Sequence, residues 1–186
     1  MSEFVFLLEE ASAEAMLSGL LPRLLTEGTV FRFIVFEGKR DLDNQLERRL
    51  RGYRVPGARF VVLRDQDASD CREVKASLLE KCRAAGKANT LVRIACHELE
   101  SWYLADLSAV ERGLEISGLA SQQAKKKYRE SDGVANAAEE LEKVTSHRYQ
   151  KVGGSRAIGP HLDLNNTRSR SFAVFVEGIR RLLAEG

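Results

Sequence analysis

Only three prolines occur in 186 residues, too few for a proline-rich linker or a disordered tail, and 44% hydrophobic content is enough to bury a core. Cysteine is equally scarce. Cys71, Cys82 and Cys96 are odd in number, have no CxxC spacing and lie beside no histidine pair. This pattern excludes a disulfide framework and a structural zinc site, and suits buried thiols in a reducing cytosol. No apolar run approaches the roughly 20 residues that a membrane span requires. The short run Phe4 to Leu8 also lacks the basic segment that opens a secretory signal. A soluble, cytoplasmic chain with no membrane partner is expected. Neither sign of charge dominates, because 29 Lys and Arg face 27 Asp and Glu for a net +2. The molecule as a whole is therefore no polyelectrolyte binder, and any nucleic-acid surface must be local.

What is present is an alternation. Apolar runs at Phe4 to Leu8, Val30 to Phe36, Phe60 to Leu63 and Leu91 to Cys96 are separated by segments of helical period. The first such segment, Ser12 to Leu25, starts at a capping serine and puts Ala15, Met16, Leu20 and Leu24 on one side. The second, Asp41 to Arg51, repeats leucine at 42, 46 and 50 and stops at Gly52. The third, Asp70 to Ala85, stops at Gly86. The order β-α-β-α-β-α-β with near-continuous apolar strands predicts an α/β fold, a Rossmann-like parallel sheet covered by helices on both faces. This core is expected over residues 1–106. Residues 107–144 hold three short helical patterns and no strand, and Ser171 to Leu183 forms a terminal amphipathic helix, so residues 107–186 read as a helical appendage that packs back on the core.

The chemistry-bearing residues lie at strand ends. The third run closes in Arg64-Asp65-Gln66-Asp67, which places two carboxylates at the carboxyl end of a buried strand, where open α/β sheets bind ligands. Glu9 and Glu10 close the first run, and Glu98 and Glu100 follow the fourth. Hard oxygen donors converging from separate segments suit Mg2+ or Mn2+. Such a cluster repels itself unless a cation neutralises it. The plainer alternative makes Asp65 and Asp67 turn residues, Ser69 or Asp70 a helix cap, and the two later glutamates favourable charge in a first helical turn. Glu98 and Glu100 lie about 200° apart on a helix, so both face one ion only if Glu98 precedes the helix. Glu100 is preferred. Trp102 reads as a core or junction anchor and His97 as a helix-start residue.

Two basic tracts stand out. Lys151-Val152-Gly153-Gly154-Ser155-Arg156, continuing to Gly159, can bring backbone N–H groups to a phosphate with Lys151 and Arg156 supplying charge, although it departs from the P-loop pattern and a plain flexible loop fits as well. Lys125-Lys126-Lys127-Tyr128-Arg129 is the densest positive run, either a nucleic-acid contact or a solvated helix face.

An acid after strand one, DxD after strand three and alternating βα units are similar to the Toprim domain of topoisomerases, primases and the nucleases of ATP-dependent anti-phage systems. Glu100-Ser101-Trp102-Tyr103-Leu104-Ala105-Asp106 and the segment around Tyr149-Gln150-Lys151 resemble a bacterial domain of unknown function, family 4276, whose core is regarded as Toprim-like. The second resemblance spans nearly the whole chain and the first only residues 1–106. Together they imply Glu9 as acid/base glutamate, Asp65 and Asp67 as magnesium ligands, Glu100 as a supporting acid, and a nucleic acid and an ATPase as partners. Toprim domains usually place glycine after the first acid, whereas this chain has Glu10, so either Glu9 or Glu10 is the operative acid.

Two functions compete at this level. One is a metal-dependent phosphodiester-cleaving enzyme or nuclease subunit, the other a non-catalytic module of the same fold that binds an ATPase. Self-association is compatible with both. A receiver-type phosphoacceptor would need a fifth strand ending in lysine, and dehalogenase-type phosphatases carry DxD on the first strand; neither pattern is met.

Overall fold

The computed structural model describes residues 3–185. Four parallel strands, β1 (Glu3–Leu8), β2 (Val30–Val35), β3 (Arg59–Asp65) and β4 (Leu91–Ala95), form one sheet in the order β2-β1-β3-β4. Between them run α1 (Ala11–Leu24), α2 (Lys39–Gly52) and α3 (Cys71–Ala84). Strand alternation divides the core in two. Val5, Leu7, Phe60, Val62 and Val92 point to α2 and α3, packing on Leu42, Leu46, Leu50, Val74 and Leu78. Phe4, Phe6, Leu8, Val61 and Leu63 point the other way, to α1 and the helices that follow β4. This two-sided cover is what right-handed crossovers from β1 to β2 and back to β3 dictate. The α/β class and the parallel sheet are as the apolar runs predict.

After β4 come α4 (Glu100–Leu104), α5 (Leu107–Leu114), α6 (Lys126–Arg129), α7 (Ala137–Val144), α8 (Lys151–Ile158) and α9 (Arg170–Ala184), with short 3-10 turns between some of them. Trp102 ties α4 to α9: its Nε1 donates to Ser171 Oγ at 2.8 Å and its ring meets Phe172 and Phe175 at 5.2 and 5.1 Å. The apolar cluster runs unbroken from Phe4 through Trp102 and Leu107 to Phe175 and Ile179.

Three local expectations need correction. The glycine-rich tract is not a loop but α8 and a following 3-10 turn, Gly159–His161. Its glycines are contact points: a Cβ on Gly159 would overlap the Met16 carbonyl of α1, and one on Gly154 would strike the Tyr149 ring. Helix α1 begins at Ala11 with Glu10 as its N-cap residue, and Ser12 instead donates its hydroxyl to the Glu10 carboxylate at 2.7 Å. Helix α2 begins at Lys39, where Gly38 at φ 99° turns the chain out of β2, while Asp41 accepts the Glu37 N–H. Of the two expected caps for α3, Ser69 or Asp70, Asp70 takes the position, accepting the N–H groups of Arg72 and Glu73.

Candidate functional site

The strand order reverses between β1 and β3, which opens a crevice outside their carboxyl ends. Leu8 pairs with Leu63, so Glu9 leaves the sheet beside Arg64, one position before Asp65 ends β3. A Glu9 carboxylate oxygen accepts the Asp65 backbone N–H at 3.0 Å. Burial raises the Glu9 carboxyl above the usual range, opposed by that N–H and reinforced by Asp67 and Glu10. Arg64 lies alongside with its Nε 4.0 Å from Glu9, while its Nη1 donates to both Asp43 carboxylate oxygens at 2.9 and 3.1 Å. That buried Nε has no hydrogen-bond partner among the described residues.

Asp65 is held well above the ordinary aspartate range, first by burial and then by Glu100, Glu9 and Glu10, with the Leu99 N–H opposing. The largest charge effects on it come from carboxylates, and Lys151 is the cation that answers them. Glu100, the first residue of α4, is 1% exposed and accepts the Tyr149 hydroxyl at 2.8 Å. Burial raises Glu100 against that hydrogen bond. Tyr149 also stands within 3.3 Å of Ser155 Oγ and Lys151 O, and the buried Tyr103 hydroxyl beside this group is unpartnered among the described residues. Glu10 meets Lys151, at the start of α8, at 2.9 Å. Burial would lower Lys151, but Glu10, Glu100 and Asp65 outweigh it and raise it.

Asp67 sits in the left-handed region at φ 55°, as does His97 at φ 56°. The two loops that carry them are zipped together: Asp67 N–H donates to His97 O at 2.7 Å and His97 N–H to Gln66 Oε1 at 3.1 Å. The Asp67 carboxylate is turned to Lys39 at 2.9 Å.

The structure thus brings together Glu9, Glu10, Asp65, Glu100 and Lys151, with Asp67 at the margin. It sends others elsewhere. Glu98 precedes α4 and accepts the Ala138 N–H at 2.9 Å, so its carboxylate caps α7. Arg156 is exposed and about 140° around α8 from Lys151. On and beside α6, Lys127 pairs with Glu140 at 2.6 Å, Lys125 donates to Gln122, and Lys126 and Arg129 are exposed around the buried Tyr128. The sequence assigned no site role to Arg64, Lys39, Tyr103 or Tyr149, although the two tyrosines stand in the segments that carry the family resemblance. Arg64 had a signal, being a cation inside an apolar run, which requires a buried partner.

The donor set is all oxygen and anionic, which fits a hard divalent cation in chemistry. As placed, no three His, Cys, Asp or Glu side chains among the described residues converge on one cation position.

Sheet order and helix placement define an α/β protein with a Toprim-like fold and an added C-terminal helix. The chain belongs to the family described as "Domain of unknown function (DUF4276)", whose model matches residues 8–180. Among solved structures it is similar to the C-terminal region of the Burkholderia pseudomallei OLD protein, with 16% identity, a TM-score of 0.54 and 97% of this chain and 98% of that one covered. It is also similar to the C-terminal region of the Xanthomonas campestris pv. campestris OLD protein, with 15% identity, a TM-score of 0.46 and 98% of each chain covered. No curated protein matches. Among the described residues no helix is long and apolar enough to cross a membrane.

Proposed function

We propose that the chain is a nuclease-type, metal-dependent phosphodiester-cleaving protein, using Mg2+ or Mn2+ and acting on a nucleic acid beside an ATPase partner. The observation that carries this reading is the field around Asp65: a carboxyl at a topological switch point, raised by burial and by Glu100, Glu9 and Glu10 with Lys151 as the opposing cation. Acids are held this close in a fold either at a cost in stability or for a cation. Asp65, Asp67 and Glu100 are the residues that would hold it. A bound divalent ion supplies Lewis-acid stabilisation of charge on the scissile phosphate. Glu9, already raised and anchored by the Asp65 N–H, holds or gives up the proton of the attacking or leaving oxygen. Glu10 is the less suited of the two, since Lys151 and Ser12 occupy its carboxylate. Lys151 steadies a phosphate oxygen once it turns from Glu10.

One observation favours the second reading, a non-catalytic module that docks on an ATPase: Lys39 and Lys151 already neutralise Asp67 and Glu10 from within the chain. A single set of experiments separates the two. Metal-dependent cleavage of a plasmid or oligonucleotide, abolished in Asp65→Ala with unfolding temperature preserved, supports the enzyme. Stabilisation by Mn2+ that is lost in Asp67→Asn supports the same site. Indifference to metal in both assays supports the module.

A further inference from the structure

Beside the carboxylate crevice lies a second concavity, a groove of about 480 Å3 between the start of α3, the exposed edge of β4 and the start of α9. Arg72, Lys75, Arg93 and Arg170 line it, and none of the four forms an ion pair among the described residues. Its single acid is spent. Asp132 accepts the Ser169 and Ser171 hydroxyls on one oxygen and the Ser171 N–H, at 2.7 Å, on the other. Lys75 is lowered by burial and then by Arg93, and Arg93 by burial and then by Arg181, effects that outweigh the opposing charge of Glu177 on Arg93. Arg93 is fixed by its bonds to the Val174 and Val92 carbonyls, at 3.0 Å each, and so forms a rigid floor.

The groove adjoins the candidate site through the chain itself. Cys71 follows the loop carrying Asp67 and Cys96 precedes the loop leading to Glu100, and these are the two loops zipped at Asp67 and His97. From this arrangement we infer that the groove is the track for a nucleic-acid backbone, in which Arg72, Lys75 and Arg170 contact successive phosphates and lead the strand to the Asp65 crevice. The inference rests on the phosphodiester reading and moves the nucleic-acid contact away from Lys125–Arg129. Those residues are partly engaged with Glu140 and Gln122, whereas the groove cations have no such partners.

Binding in EDTA tests the track without requiring catalysis. Anisotropy of a fluorescein-labelled duplex DNA is measured against salt for the wild-type chain, for Arg72→Ala/Lys75→Ala/Arg170→Ala and for Lys125→Ala/Lys126→Ala/Arg129→Ala. The groove variant is expected to lose about tenfold or more in affinity and to flatten the salt slope by about 1 for each phosphate contact removed. The α6 variant is expected to bind as wild type. An unmutated readout accompanies these: DNA should slow maleimide labelling of Cys71, whereas Cys82 is fully buried and the Cys96 thiol, pushed up to about 11 by burial and Asp132, labels little at neutral pH. Equal affinity of the groove variant and wild type, no DNA binding by wild type, or unprotected Cys71 overturns the track. Cleavage surviving in Asp65→Ala overturns the carboxylate reading instead, and leaves the binding result to stand by itself.

Discussion

A carboxyl group that is 1% exposed keeps its proton to higher pH in the folded chain than in the unfolded one, and Glu100 is such a group, since burial outweighs the Tyr149 hydrogen bond and the nearby Lys151. The sign follows from proton counting. Unfolding releases a proton wherever the unfolded glutamate, with a pKa of about 4.3, is already ionised, so stability is full below that value and is lost as pH rises through the elevated native pKa. Each pH unit between the two is worth about 1.4 kcal/mol. Glu100→Gln keeps an oxygen for the Tyr149 hydroxyl and removes the titration. In EDTA the variant should therefore melt above wild type at about pH 8, with the gap closing towards about pH 5. Thermal melts across that range check it, and a variant less stable than wild type at the upper end refutes the assignment. A binding crevice that is costly when empty is what a cation site looks like in stability measurements.

At the scale of single elements, α8 is where local reasoning and structure part. Lys151 to Ile158 holds two glycines, each costing about 1 kcal/mol in a helix interior, and local propensity alone makes it a loop. Packing decides otherwise, because Gly154 and the following Gly159 let the segment close on Tyr149 and on α1. Two substitutions separate propensity from contact. Gly159→Ala should destabilise by about 1–3 kcal/mol through overlap with the Met16 carbonyl. Gly153→Ala, whose Cβ would meet nothing nearer than 3.9 Å, should be neutral or stabilise by up to about 1 kcal/mol. Chemical denaturation of the two variants measures both. The same logic explains what the sequence made legible. Parallel strands buried on both faces announce themselves as apolar runs, so β1, β3 and β4, and with them the placing of Glu9 and Asp65, were readable. Tyr149 lies 49 positions from the Glu100 it bonds, and Glu98 becomes a cap only when α7 arrives 40 positions later. Such partners have no local signature.

For the whole molecule, the question is whether residues 1–106 constitute a unit that stands without residues 107–186. One face of the sheet is closed by α2 and α3, from within the first segment. The other face is closed by α1 and then by helices of the second, with Phe172, Phe175, Val176 and Ile179 of α9 all buried in the same cluster as Phe4, Phe6 and Val61. Burying each of those α9 side chains is worth about 1.5–3 kcal/mol. Four of them rival the entire stability of a typical domain, about 5–15 kcal/mol. Polar ties cross the same boundary: Trp102 to Ser171, Glu100 to Tyr149, and Glu98 to the start of α7. A fragment ending at Asp106 would expose this apolar face and leave the Trp102 N–H and the Glu100 carboxyl without their partners. It should bind a hydrophobic dye and show no cooperative melt, whereas the full chain should unfold in one transition as judged by near-UV and far-UV circular dichroism. Two separate transitions in the full chain, or a fragment that melts cooperatively, would show that the core is self-sufficient. The distinction bears on function, because Tyr149 and Lys151 reach the acid cluster from the second segment, so a crevice built from the first alone would lack the groups that hold Glu100 and Glu10 in place.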